Sequence, residues 1–516
     1  MRVETFDRPT PLESDLYARR VRCAAIAVLI ACGLLMLLMQ AFAPNRPRTY
    51  ANDLDHFYYG SIGSDISGGL PLKVLQVLPH VFPDYLPKGS TAQDYTAFGF
   101  IDQPGRPLPI GFSIRRQFVD RAALNCGSCH TSQVRAAPDQ PPQTIAGMPA
   151  HSLNLLAFFQ FLFRCAADDD RFNAKTIVSA MKTAGIAGPL DGLIYRFVVP
   201  AMKDALLLQS RKLRYLADPD YTPFGPGRVS TFDTFKFDQF AYYYRAHNHK
   251  VAPDEIYGIV DFPSIWNQGP REGLKLHWDG NNTSIRERNF SAAIASGARP
   301  EDMDLPRLYR IEDWLKRLKP PAWPFAIDSA KAARGKPIYD HLCASCHEFG
   351  GSRMGQVVPL AQIGTDRSRL DSYTPFLREA QIDYTSHVPW TFSHFTKTDG
   401  YANLPLDGIW ARAPYLHNGS VPTMWDLLAT DEARPKAFTI GGTVYDQKDM
   451  GFRHEILTQS PAGGFLDAAG KAYAGNAFVL NTSLRGNGNQ GHTGAAYGTA
   501  LIDDDKWALI EYLKTK

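Results

Sequence analysis

The sequence has little net charge and few cysteines. Across 516 residues, 55 Lys and Arg stand against 52 Asp and Glu, leaving a formal charge of +3 with the signs interspersed. No basic stretch stands out, which argues against nucleic acid as a partner. Seven cysteines do not make a disulfide framework here. Cys23 and Cys32 fall in an apolar run, Cys165 in FQFLFRCAAD reads as a small buried residue, and the other four belong to two pentapeptides. No short-period repeat is present, so a solenoid is not indicated.

Long apolar runs are nearly absent too, with one exception. CAAIAVLIACGLLMLLMQAFA, residues 23–43, carries no charge. As a helix it spans about 31 Å, enough for a bilayer core. Arg19, Arg20 and Arg22 precede it, and Arg46 and Arg48 follow. The heavier positive side places residues 1–22 in the cytoplasm and the body of the chain on the periplasmic side of a bacterial inner membrane. Ala41-Phe42-Ala43 has the small-x-small form of a signal cleavage site, but Pro44 follows it and the run is long. An uncleaved single-pass anchor is the preferred reading, and cleavage would release a periplasmic or secreted protein. Both readings export the rest.

What the sequence does have is a motif, twice. LNCGSCHTSQ, residues 124–133, and LCASCHEFGG, residues 342–351, each contain C-x-x-C-H. Two thiols one helical turn apart can add to the two vinyl groups of a haem, and the adjacent histidine then meets the iron. A zinc site wants two C-x-x-C pairs close together, and redox pairs sit in βαβ patterns, so neither alternative fits. The expected cofactors are two covalently bound c-type haems. Cys126, Cys129 and His130 hold one, and Cys343, Cys346 and His347 hold the other. The opposite axial positions stay open at this level. The twelve other histidines, and Met148, Met354, Met424 and Met450, all compete for them.

The organisation around the motifs also runs in two parts. With 41 glycines and 37 prolines, long irregular connections are expected. Residues 44–122 read as an extended segment wrapping a domain. FVDRAALNCGSCHTSQ looks like a helix carrying the first motif, HSLNLLAFFQFLFRCA like a buried helix, and residues 174–209 like one or two more. RLYRIEDWLKRLKPPAWP is an amphipathic helix stopped by Pro320 and Pro321. DSAKAARGKPIYDHLCASCH starts a new helix leading into the second motif, and DDDKWALIEYLKTK closes the chain with acids first and lysines last. The expected fold is mainly α, with two cytochrome c-like haem domains, 44–322 and 323–516, bearing long irregular insertions and preceded by one transmembrane helix.

Several stretches besides the motifs carry a family likeness over roughly residues 95–516. LHWDGNNTSIRERNFSAA, VVPLAQIGTDRSRLDSYT, GYANLPLDGIWARAPYLHNGSVPTMWDLL and NGNQGHTGAAYG are the four. The chain resembles the di-haem cytochrome c peroxidase and MauG superfamily, most of all the rubber oxygenases. That resemblance implies that Trp278 lies between the haems and shortens the electron path. It also implies that His492 is the distal ligand of the C-terminal haem, which becomes bis-histidine. The N-terminal haem would then bind O2 or a peroxide. His417 reads instead as a loop histidine satisfying backbone groups.

The chain also departs from its relatives. Ala298 stands where the bacterial peroxidases carry an acid, Glu301 and Asp302 are out of pattern, and a pocket phenylalanine of the rubber oxygenases falls at Ala293. The MauG tyrosine ligand has no counterpart. An apolar pocket without an acid suits dioxygen insertion into an apolar alkene. The alternatives are peroxide reduction fed by a small electron-donor protein, or a pure electron-transfer cytochrome.

Overall fold

The computed structural model describes residues 11–41 and 45–516. The apolar run lies within one helix, α1 (Pro11–Ala41), of which Asp15–Met39 is long and apolar enough to cross a membrane. The helix begins well before residue 23, so the expected cytoplasmic segment is partly helical. None of its apolar window is buried by protein. Phe42, Ala43 and Pro44, on which the cleavage question turns, lie outside the described residues, as do residues 1–10.

Beyond α1 the chain is less purely helical than expected. Helix makes up 43% of it, and short strands form six small sheets among the described residues. The helix expected before the first motif is a hairpin instead. Strands β1 (Phe112–Gln117) and β2 (Val119–Leu124) pair antiparallel, with Gln117 opposite Val119 and Phe118 turning the chain at φ 60°. The reason is tertiary. Arg46–Pro47 and Leu70–Pro71 add an outer strand on each side, and these partners come from far earlier in the chain. The segment 44–122 therefore does more than wrap. It also folds α2 (Leu72–Val81), whose Leu72, Val74, Leu75, Val77 and Leu78 are buried in the first core.

The remaining expected helices are present: α3 (Leu155–Ala167), α4 (Ala174–Thr183), α5 (Asp191–Lys212), α7 (Leu305–Arg317), α8 (Ser329–Leu342) and α9 (Asp503–Leu513), and α6 (Ile285–Ala295) joins them unforeseen. Their ends follow local chemistry. Asn154 caps α3 by accepting the Ala157 N–H at 3.0 Å, and Asp328 caps α8 by accepting that of Lys331 at 3.1 Å. Asp503, Asp504 and Asp505 occupy the first turn of α9, where the helix dipole favours anions.

Three large apolar cores result. The first is built within residues 72–262 and contains α2 to α5. The other two cross the expected boundary at residue 322. One joins Phe57, Phe290 and Ile294 to Tyr373, Leu377 and Phe395. The other joins Met148 and Trp266 to Trp410, Met424 and Leu509. Cys126 packs against the former and Cys343 against the latter. Each motif thus packs on a core drawn from both sides of residue 322.

The tightest helix crossing is that of α8 with α9. A Cβ at Gly335 would lie 1.9 Å from the Ala508 carbonyl oxygen, whereas one at Gly192 in α5 meets nothing within 4 Å. Gly335→Ala is expected to destabilise the fold by about 3 kcal/mol through forced separation of the helices. Gly192→Ala should leave stability unchanged or raise it by up to about 1 kcal/mol. Thermal denaturation of the two variants checks this, and equal Tm values would contradict the crossing.

Candidate haem centres

The first motif follows β2 directly. Asn125 ends the strand and caps a single turn, Cys126–Cys129, by accepting the Gly127 N–H at 2.9 Å while donating its own amide to the Gly60 carbonyl at 2.9 Å. Gly127 packs closely, and a Cβ there would sit 3.1 Å from the Phe57 carbonyl. The turn sets Cys126 and Cys129 one helical turn apart. Burial pushes their thiols up to about 12 and about 11, and that of Cys343 up to about 12. These are neutral thiols, not the lowered-pKa thiolates of a redox pair.

The second motif follows α8. Cys343 ends the helix, and Ala344–His347 makes one further turn. In both motifs the histidine is fixed in the same way. His130 Nδ1 donates to the Pro263 carbonyl at 2.9 Å, and His347 Nδ1 donates to the Leu404 carbonyl at 2.8 Å. Tying Nδ1 leaves the Nε2 lone pair for a metal. Burial lowers the pKa of both rings, that of His130 to about 3, so they stay neutral and able to ligate.

The structure brings His492 opposite His347. Their ring centroids are 6.3 Å apart. An Fe–N bond of about 2 Å on each side, plus about 1.1 Å from nitrogen to ring centre, predicts about 6.2 Å for two imidazoles sharing one iron. Burial lowers the His492 pKa to about 3. His130 has no such counterpart among the described residues. Its ring neighbour is Phe262, at 6.5 Å.

The loop ending in His492 has little regular structure, and interior side chains hold it. Arg434 donates to the carbonyls of Asn489 at 2.6 Å and Gly491 at 2.8 Å, and pairs with Asp431 at 3.1 Å. Asn418 donates to the Gly486 and Gly488 carbonyls at 3.1 and 2.9 Å, and Ser420 donates to Gly488 at 2.9 Å. His492 itself has φ 54°, a conformation that needs such support.

Trp278 touches the supports of both motif histidines. Its indole N–H donates to the Asp261 carbonyl at 3.0 Å, two residues before the Pro263 that holds His130. Its own carbonyl accepts the Ala402 N–H at 2.9 Å, two residues before the Leu404 that holds His347. His417, expected to satisfy backbone groups, pairs with a side chain instead. Its Nε2 lies 3.1 Å from the Tyr401 hydroxyl, in contact across buried rings.

Sequence reasoning missed a set of interior arginines. Arg228 Nη2, Arg369 Nη1 and Arg412 Nε are buried donors without a partner. The Arg288 side chain makes no hydrogen bond or ion pair among the described residues, and desolvation lowers its pKa to about 10. At neutral pH it remains a cation, and interior cations require anions. The propionates of a haem are anions of the right size for such donors. Among the described residues no three His, Cys, Asp or Glu side chains converge into a metal cage. The residues present therefore fit haem.

Taken together, the motif turns, oriented imidazoles and interior cations define a haem c-containing redox protein of cytochrome type. Residues 400–439 match a family model described as RoxA-like, cytochrome c-like. That segment contains Ala402, Leu404, Asn418, Ser420 and Arg434, the residues that position Trp278, His347 and the His492 loop. Two curated relatives come from Sinorhizobium fredii. The uncharacterized protein y4iM is 31% identical, over 50% of this chain and 65% of its own length, so the chain spans less than two thirds of it. The uncharacterized protein y4iJ is 29% identical over 85% of both.

If His492 and His347 share one haem iron, His492→Ala should turn a low-spin haem into a high-spin or solvent-ligated one without lowering the haem content of the holoprotein. Unchanged low-spin spectra would assign the ligand to another residue. Replacing Cys343 and Cys346 together by Ala should lower the mass of the mature protein by one haem, and loss of both haems would contradict independent attachment.

Proposed function

We propose that this chain is an exported di-haem c-type oxidoreductase in which the two haems have different tasks. The inequality of the two histidine centres carries the reading. His347 faces His492 at the spacing of two ligands on one iron, whereas the ring beside His130 is that of Phe262. A bis-histidine haem passes electrons, and a haem with an open axial position binds O2 or a peroxide.

The protein contributes orientation, dryness and a path. Pro263 and Leu404 hold the proximal imidazoles. Trp278 links the two supporting segments, and its ring offers the short route for an electron between the centres. Around Cys126 the shared core supplies Phe290, Phe392 and Phe395, which exclude water and suit an apolar alkene. Ala293 and Ala298 are fully buried in the same core, so neither brings an acid. Glu301 does not replace it. Its side chain is 54% exposed and lies 3.5 Å from His387 at the surface. A small electron-donor protein would feed the His347–His492 centre, and α1 would hold the molecule at the periplasmic face of the membrane.

Mature holoprotein should bind carbon monoxide when reduced, and cyanide when oxidised, at one haem of the two. Wholly low-spin protein that binds neither is a pure electron carrier and overturns the reading. Oxygen uptake with cleavage of an added polyisoprene supports the alkene substrate. Peroxide turnover with reduced cytochrome c, and no product from isoprenoids, assigns peroxide reduction instead.

A further inference from the structure

One more interior imidazole is prepared in the way the motif histidines are. His277 Nδ1 lies 2.6 Å from Asn281 Oδ1. Asn281 is fully buried, and its backbone carbonyl accepts the Thr396 N–H at 2.8 Å, which fixes the acceptor. The ring stacks on Phe395 at 6.1 Å and 25°. The backbone sits at φ 62°, in the left-handed region that a residue with a Cβ adopts only when its surroundings impose it. With Nδ1 donating to a carbonyl oxygen, Nε2 carries the lone pair, as in His130 and His347. Nε2 makes no hydrogen bond among the described residues.

The ring belongs to the first haem's surroundings. It is adjacent to Trp278, whose indole bonds to the segment that holds His130. Phe395 lies in the core against which Cys126 packs. The unpaired Arg288 acts electrostatically on both His130 and His277. The spacing of two ligands on one iron occurs at His347 and His492, and His277 has no such pairing with His130 among the described residues. With Nδ1 held by Asn281, the ring keeps Nε2 for a second molecule.

We propose that His277 is the distal base of the N-terminal haem, its Nε2 taking the proton of a weak acid such as hydrogen peroxide or hydrogen cyanide as that molecule binds opposite His130. The proton passes to Nε2, the conjugate anion is the species bound, and no electron moves. Asn281 keeps hold of Nδ1–H throughout. Burial and the nearby Arg288 hold the His277 pKa near 4, which keeps the ring in its proton-accepting form. His277 thereby supplies the acid–base group that Ala298 lacks. The inference rests on the open-haem reading above.

The test uses oxidised holoprotein mixed with potassium cyanide in a stopped-flow instrument, following the Soret shift. His277→Phe should slow cyanide association on the order of 100-fold. His277→Gln, which keeps a polar group that cannot take the proton, should be similarly slow. Both variants should retain two haems per chain and the resting spectrum. Association at the wild-type rate in either folded variant overturns the proposal. So does a change of the N-terminal haem from low to high spin on substitution, because His277 would then be an iron ligand. Wild-type protein that refuses cyanide at both haems overturns the open-haem reading, and the proposal with it.

Discussion

The buried guanidinium of Arg434 organises the C-terminal centre. It donates to carbonyls of Asp426, Leu427, Asn489 and Gly491, and it pairs with Asp431. One planar cation thus ties the end of one loop to the approach of another. The second loop carries His492, and the 6.3 Å separation from His347 exists only while that loop stays fixed. A helix would hold a ligand through its own ladder of hydrogen bonds. Here the ladder is replaced by side chains reaching into a loop, and Asn418 and Ser420 complete it.

The other centre follows a related rule. Each motif histidine leans on a main-chain carbonyl of a distant segment, Pro263 for His130 and Leu404 for His347. Trp278 connects those two segments. The link between those segments is consequently made by its backbone as well as by its indole N–H. The framework and the shared cores serve one end, because both couple the halves of the chain.

Local signals and tertiary outcomes divide sharply in this chain. The motifs, the apolar run, α7, α8 and α9 were legible because each is set by near neighbours: a five-residue spacing, an uncharged stretch, a 3.6-residue period with caps. The hairpin before Cys126 was not, because FSIRRQFVDRAAL gains its flanking strands from residues 46–47 and 70–71. The interior arginines were equally hidden. A sequence shows Arg228 or Arg369 as a charge, and only packing shows that the charge has been taken inside. His277 was one histidine among twelve candidates until Asn281 and Phe395 fixed its ring. His492 was named through a resemblance, and its ring now lies across from His347.

The cores that straddle residue 322 also impose a timetable. Cys126 packs against a cluster that is incomplete until Tyr373, Leu377 and Phe395 arrive. In a chain synthesised from its N-terminus, the first pair of thiols exists before those residues do. The surroundings of the first motif are thus completed by the half of the chain that follows it.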